Sequence, residues 1–198
     1  MYALAVNGSP REGGNTEALL KEVLSPLNEN GWRTELVKVG GTAIRGCTAC
    51  YKCFEYKNNK CAINDNFNEV YAKLLQADAM ILGSPTYFAA VSADLKALLE
   101  RAGLVAIAND NAFSGKIGAA VVAVRRGGAT HAFDSINHMF QMSRMIVPGS
   151  TYWNIGVGRE KEEVIHDNEG INNMRHLGKV IDWLGKSIAD SKADYPQG

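Results

Sequence analysis

An apolar run at residues 2–6 breaks into the polar stretch Asn7-Gly8-Ser9-Pro10-Arg11-Glu12-Gly13-Gly14-Asn15-Thr16. Apolar residues then return at helical spacing through Ala18, Leu19, Leu20, Val23 and Leu24. Strand, glycine-bearing turn and helix in that order constrain the chain more than any other feature. A turn of this kind points several backbone N–H groups and a helix N-terminus at one spot, which makes an anion site. Ser9, Asn15 and Thr16 add side-chain donors, and Arg11 adds a fixed positive charge. A phosphate monoester suits such a site. The plainer reading is that Asn15 or Thr16 caps the helix and the glycines only turn the chain. A cap needs one polar residue, however, and this turn supplies four. This turn has no Gly-Lys-Ser/Thr ending and no Gly-x-Gly-x-x-Gly, which disfavours a nucleoside-triphosphate or dinucleotide loop here.

The alternation continues along the chain. A second strand is expected over 32–39, closed by Gly40-Gly41, and a helix after Asp65, which would cap it. A third strand is expected over 77–83, a helix over 93–102, a fourth strand over 117–124, a helix over 132–145 and a last helix over 171–189. The fifth strand falls at 145–147 or 151–155. Alternating strands and helices imply a parallel sheet covered on both faces, with right-handed crossovers. No repeat, linker or low-complexity tract divides the chain, so one domain over 1–198 is expected, with a cysteine-rich insertion at about 46–62. In such sheets ligands bind beyond the carboxyl ends of the strands. Four turns follow strands and should share that rim: the first turn, the cysteine segment, the turn with Pro85, Thr86, Tyr87 and Phe88, and the turn 125–128 with Gly127 and Gly128.

A phosphate site at one end of the rim and the flat Tyr87 and Phe88 surface at the other suggest a mononucleotide such as FMN. Gly127 and Gly128 would let backbone come close to it. Taken alone, Tyr87 and Phe88 read rather as packing residues, and the case rests on the three turns together. Lys plus Arg balance Asp plus Glu at 21 each, which argues against nucleic acid and anionic membrane as partners. The chain enters its first strand without a charged leader, and no apolar run is long enough to span a bilayer, so a cytoplasmic location is expected.

Cys47, Cys50, Cys53 and Cys61 are the four cysteines of the chain, spaced Cys-x2-Cys-x2-Cys-x7-Cys. Thiolates so close in sequence can meet on one [4Fe–4S] cluster at little loop-closure cost. Structural zinc, a disulfide pair and cysteines with no metal are the alternatives.

The turn Gly8-Ser9-Pro10-Arg11 with Asn15-Thr16, and Gly83-Ser84-Pro85-Thr86-Tyr87-Phe88 followed by Leu95-Lys96-Ala97-Leu98, resemble the flavodoxin-like NAD(P)H-dependent FMN reductases. The cysteine run resembles their iron–sulfur flavoprotein subgroup. The resemblance runs from the first strand to the helix after Phe88 and weakens beyond. It implies a flavodoxin-like three-layer α/β sandwich with a five-stranded parallel sheet and FMN at the strand ends. Ser9, Arg11, Asn15 and Thr16 would hold the phosphate, and Pro85, Thr86, Tyr87 and Phe88 would flank the ring or ribityl chain. Gly127 and Gly128 follow more loosely. A compact run of three cysteines with a distant fourth is the cluster-binding arrangement of that subgroup.

The expected function is an FMN-dependent oxidoreductase that passes electrons between NAD(P)H or a redox protein partner, FMN and a [4Fe–4S] cluster. The flavin carries the chemistry, and no side chain is assigned as a catalyst. A cluster-free FMN or quinone reductase and a flavodoxin-type shuttle are the rival classes. Tyr152, Trp153 and Ile155 in a late loop suggest an interface, and a homo-oligomer, dimer or tetramer, with FMN near the interface is expected.

Overall fold

The structure is a computed structural model and describes residues 1–191 and 193–196. β1 (Tyr2–Asn7) is buried at every position, as a strand covered on both faces must be. It lies between β2 (Arg33–Lys38) and β3 (Ala79–Pro85), pairing parallel with both. β4 (Ile117–Val124) follows β3, and β5 (Ile155–Val157) closes the edge. The order is β2-β1-β3-β4-β5, all parallel. Strand order therefore switches between β1 and β3, where open α/β sheets bind ligands.

Side chains alternate across this sheet, so each strand feeds two cores. Leu4, Val6, Met80 and Leu82 face the layer made by α3 (Phe67–Gln76), α4 (Ala93–Ala108) and α5 (Ala129–Met142). Ala3, Ala5, Ala79 and Ile81 face α1 (Asn15–Glu29) and α6 (Asn168–Asp190). A short helix, α2 (Lys52–Tyr56), lies within the cysteine segment, and a 3-10 turn at Glu163–His166 precedes α6. Among the described residues no helix is long and apolar enough to cross a membrane.

Several boundaries differ from the sequence expectation, among them the end of α4, which runs on to Ala108 rather than stopping at 102. β3 starts at Ala79 because the chain bends at exposed Asp78, whose carboxylate accepts the Tyr2 N–H at 2.7 Å. The strand also runs two residues further, because Thr86 N–H still reaches the Ala123 carbonyl at 2.8 Å. α5 begins at Ala129, where left-handed Gly128 (φ 85°) starts the helix, and it ends at Met142. The fifth strand is neither 145–147 nor 151–155. Ile146 makes one isolated bridge to Ile117, and Pro148, which has no N–H, follows it. Pairing resumes only after Asn154, whose side chain donates to the Ala120 carbonyl at 3.0 Å.

Candidate functional site

The turn leaving β1 is fixed before any ligand is considered. Gly8 N–H donates to the Gly83 carbonyl at 2.8 Å, and Ser9 N–H donates to the Asn7 side chain at 2.9 Å. A Cβ at Gly40 would lie 2.2 Å from the Ser9 carbonyl carbon, so the end of β2 supports the turn only because that residue is glycine. The N-terminal residue of the cap is Gly14, with no side-chain cap bond. The capping role considered for Asn15 and Thr16 is therefore unfilled, and the first N–H groups of α1 stay open to an anion.

The β3 turn is held to the same place by a serine relay. Ser92 Oγ donates to the Gly8 carbonyl at 2.7 Å, Ser92 N–H donates to Ser84 Oγ at 3.0 Å, and Ser92 caps α4. Beyond Thr86 the chain reverses through Phe88 and Ala89, both at positive φ, with Tyr87 and Ala90 exchanging two backbone hydrogen bonds of 2.9 Å. A Cβ at Gly128 would come within 2.8 Å of Ala89, so the turn after β4 packs directly on this hairpin.

One cleft of about 240 Å³ results, lined by Ser9, Arg11, Asn15, Thr16, Pro85, Thr86, Tyr87, Arg125 and the loop residues Gly158 and Arg159, with Ala123 and Val124 below. Seven of the expected residues meet there. Phe88 does not line it: its side chain stands fully exposed at the hairpin apex. Gly127 and Gly128 shape the neighbouring turn without lining the cleft. Gly158 and Arg159 were not anticipated. They arrive because Asn15 is a clamp: its Nδ2 donates to the Glu160 carbonyl at 2.9 Å and its Oδ1 accepts the Val164 N–H at 3.3 Å. Arg11 Nη1 donates to the Arg159 carbonyl at 3.3 Å. No sequence signal couples residues 149 apart.

The cleft suits FMN. Thr86 Oγ1 is buried and has no hydrogen-bond partner among the described residues, in a wall where the flavin would supply one. Three arginines, an open helix N-terminus and the Tyr87 ring complete the chemistry of a phosphate and a flat heterocycle. Glu17 sits in the same helix turn. Its contact with Lys21 at 2.7 Å, and less strongly the Gly13 N–H, hold its carboxyl below the usual range despite burial.

The cysteine segment does not share the rim. It descends α4: Gly41 N–H donates to Asp94 at 2.7 Å, Arg45 reaches Arg101, and Asn59 N–H donates to Asn109 at the helix end. With about 1.5 Å of rise per residue, Arg101 lies about 14 Å along the axis from the Ser92 cap. Cys47, Cys50, Cys53 and Cys61 line a second pocket there with Arg101, Leu104 and Val105. All four are free thiols. Positive φ at Ala49 and Tyr51 coils the chain between the first three. Ala49 N–H donates to Cys47 Sγ at 3.4 Å. A bond from Lys52 N–H holds the exposed Cys50 thiol below its usual range, and burial pushes Cys53 up. Among the described residues no three His, Cys, Asp or Glu side chains converge as a single-ion site.

Two residues beside this pocket were missed. Arg101 is wholly buried and donates to Asp65 at 2.6 Å and to the Arg45 carbonyl at 3.0 Å; its Nε has no partner among the described residues. The Tyr71 hydroxyl, buried in the same core as Cys53, also has none among the described residues. An arginine on the apolar face set by Leu98 and Val105 was the available signal.

Comparison with known proteins agrees with this geometry. Residues 1–160 match the profile of the NADPH-dependent FMN reductase family. An iron–sulfur flavoprotein of Methanocaldococcus jannaschii is 35% identical over 195 residues, covering 95% of this chain and 99% of that protein. One from Methanosarcina thermophila is 34% identical over 191 residues, covering 94% and 98%. Among solved structures, RosB with a bound 8-demethyl-8-formylriboflavin-5'-phosphate intermediate superposes with a TM-score of 0.75 at 17% identity, over 98% of this chain and 82% of that one. A flavodoxin from the domain Archaea superposes at 0.61 and 17% identity, over 94% and 99%. The chain belongs to the NADPH-dependent FMN reductase family and is a flavodoxin-like, FMN-dependent oxidoreductase.

Proposed function

We propose that this oxidoreductase moves electrons between NAD(P)H or a redox protein, FMN in the rim cleft and a [4Fe–4S] cluster held by Cys47, Cys50, Cys53 and Cys61. The observation that carries the reading is two separate pockets in one chain, one built for a phosphorylated flavin and one walled by four free thiols. FMN, when bound, takes electrons in pairs and releases them singly, and a cluster takes them singly.

Each residue has a defined part. Ser9, Arg11, Thr16 and the open N–H groups of α1 hold the phosphate. Asn15 keeps the 158–160 loop over it. Thr86 Oγ1 gives the flavin its hydrogen bond, and Pro85 and Tyr87 flank the ring or ribityl chain. Phe88, Gly127 and Gly128 act one step away, Phe88 as an exposed apolar cover and the glycines as the turn against Ala89.

Four free thiols lining one pocket suit a cluster, whose cysteines bind different irons. The backbone donor on Cys47 and the buried, unpartnered donors of Arg101 and Tyr71 suit its negative charge. We take 1–198 as one flavin-binding domain with the cysteine segment as an insertion.

Closed ligand sites commonly enclose about 300–1,000 Å³. The smaller, open rim cleft leaves part of an FMN uncovered. Exposed Phe88, Tyr152 and Trp153 support a homo-oligomer in which a second copy covers it.

The test is the absorption spectrum of anaerobically purified protein, with iron and sulfide analysis, before and after NAD(P)H. Flavin bands, iron and acid-labile sulfide, and bleaching on reduction support the reading. Flavin without iron identifies a cluster-free reductase, and no flavin at any added FMN concentration refutes it.

A further inference from the structure

Among the described residues, two of the buried polar atoms without a hydrogen-bond partner belong to Arg101, which lines the cysteine pocket, and to Tyr71, which stacks on the same Phe67 ring that Arg101 covers. The Arg101 ion pair serves the fold, but folding alone explains neither its spare Nε nor the Tyr71 hydroxyl. Arg101 is fully buried on α4, lies 4.1 Å over the Phe67 ring, and lines the pocket next to Cys61. Its Nη1 donates to Asp65 and to the Arg45 carbonyl, and its Nη2 to the Ile63 carbonyl at 3.4 Å. It therefore grips the chain just before Cys47 and just after Cys61, and its Nε N–H is left over. Tyr71 stacks on Phe67 and lies tilted against Phe113, with ring centroids 5.4 and 5.5 Å away. A phenylalanine would fill that slot equally well, yet the chain places a hydroxyl there. A buried donor without an acceptor is costly to leave unpaired. Two against the same Phe67 ring point to an acceptor that the protein chain does not itself provide.

We infer that Arg101 and Tyr71 are positioning residues for the sulfur site, whose spare N–H and O–H donate to the cysteine-bound cluster and raise its reduction potential. The inference rests on the cluster reading proposed above. Reduction adds one electron to the cluster and requires no proton. A fixed guanidinium charge and two donors therefore favour the reduced form. Asp65 takes up part of that charge, but it is also held by the Arg45 and Phe67 N–H groups.

The experiment is a dithionite titration of the anaerobic holoprotein followed by electron paramagnetic resonance, with iron content measured on the same samples. Arg101→Gln lowers the midpoint potential, Arg101→Lys restores most of it by keeping the charge, and Tyr71→Phe lowers it by less. In metal-free protein Tyr71→Phe leaves the melting temperature unchanged or raises it, because it deletes an unpaired hydroxyl. In the holoprotein it lowers it. Wild-type potentials in Arg101→Gln and Tyr71→Phe at full iron content overturn the assignment. If Arg101→Gln fails to fold or to hold iron, Tyr71→Phe decides alone, and an unchanged potential there overturns it. Absence of iron from anaerobic wild type removes the cluster reading and this inference with it, and shows in the iron analysis before any potential is measured.

Discussion

The Arg101 guanidinium meets the Asp65 carboxylate at 2.6 Å with both side chains shut off from water, 0% and 6% exposed. Asp65 also accepts the Arg45 N–H at 3.0 Å and the Phe67 N–H at 3.1 Å. This knot closes the base of the segment that carries all four cysteines. Breaking a buried pair by removing one partner strands the other charge. Arg101→Met should destabilise the protein by about 3–5 kcal/mol. Denaturant unfolding measures this, and a change below about 1 kcal/mol, the level of an exposed pair, shows that the pair is not buried in solution.

The same pair sets a pH dependence. Burial alone would raise the Asp65 carboxyl, but the bonds from Arg101, Arg45 N–H and Phe67 N–H outweigh it and hold the carboxyl below its usual range. A depressed folded pKa gives stability that is complete above the unfolded value, about 3.9, and is lost as pH falls through the folded one. The difference in unfolding free energy between wild type and Asp65→Asn should therefore be constant from pH 7 to about 5 and shrink below about pH 4. A difference that stays constant down to pH 2 contradicts the assignment.

At the rim, Arg11→Ala removes a cation from the phosphate end of the cleft. Hydrogen bonds to charged groups contribute about 1.5–3 kcal/mol, so FMN should bind about 10- to 100-fold more weakly. Quenching of flavin fluorescence in a titration of apoprotein reads this directly, and unchanged affinity removes Arg11 from the site.

Gly40→Ala tests the support of the turn rather than the turn itself. The added Cβ would fall 2.2 Å from the Ser9 carbonyl carbon and 2.3 Å from its oxygen, and neither backbone atom can yield without moving the turn. FMN affinity should drop at least about tenfold, or about 1.4 kcal/mol, while far-UV circular dichroism keeps its α/β signature. Wild-type affinity means that the turn tolerates displacement.

Because the two pockets share no lining residue, Cys50→Ser should lose iron and keep FMN. Loss of both cofactors together shows that they depend on each other.

Much of this arrangement was legible in the sequence, for physical reasons that differ by element. β1, β3 and β4 are continuous apolar runs, the first two ended at glycine or proline and the third at Arg125-Arg126, a pattern set by burial on both faces. The first turn and the Pro85–Tyr87 wall of the cleft were readable because local polarity and glycine content specify them. β5 was not, since it is three residues long and its position depends on Asn154 reaching Ala120. The 158–160 loop was invisible for the same reason, being placed by contacts to Asn15 across the fold. The cysteine segment was recognised but misplaced: it leaves β2 toward the rim and is then drawn down α4 by Asp94, Arg101 and Asn109. A polar side chain on an otherwise apolar helix face was the clue to that path.

Amide hydrogen exchange of apoprotein with and without FMN tests the central claim most directly, because it maps flavin protection along the whole chain. Protection should appear in residues 8–16, 84–88, 123–126 and 158–164, and segment 46–62 should be unaffected. Protection confined to segment 46–62, or a first turn that exchanges equally with and without flavin, would contradict a cleft assembled from the strand ends.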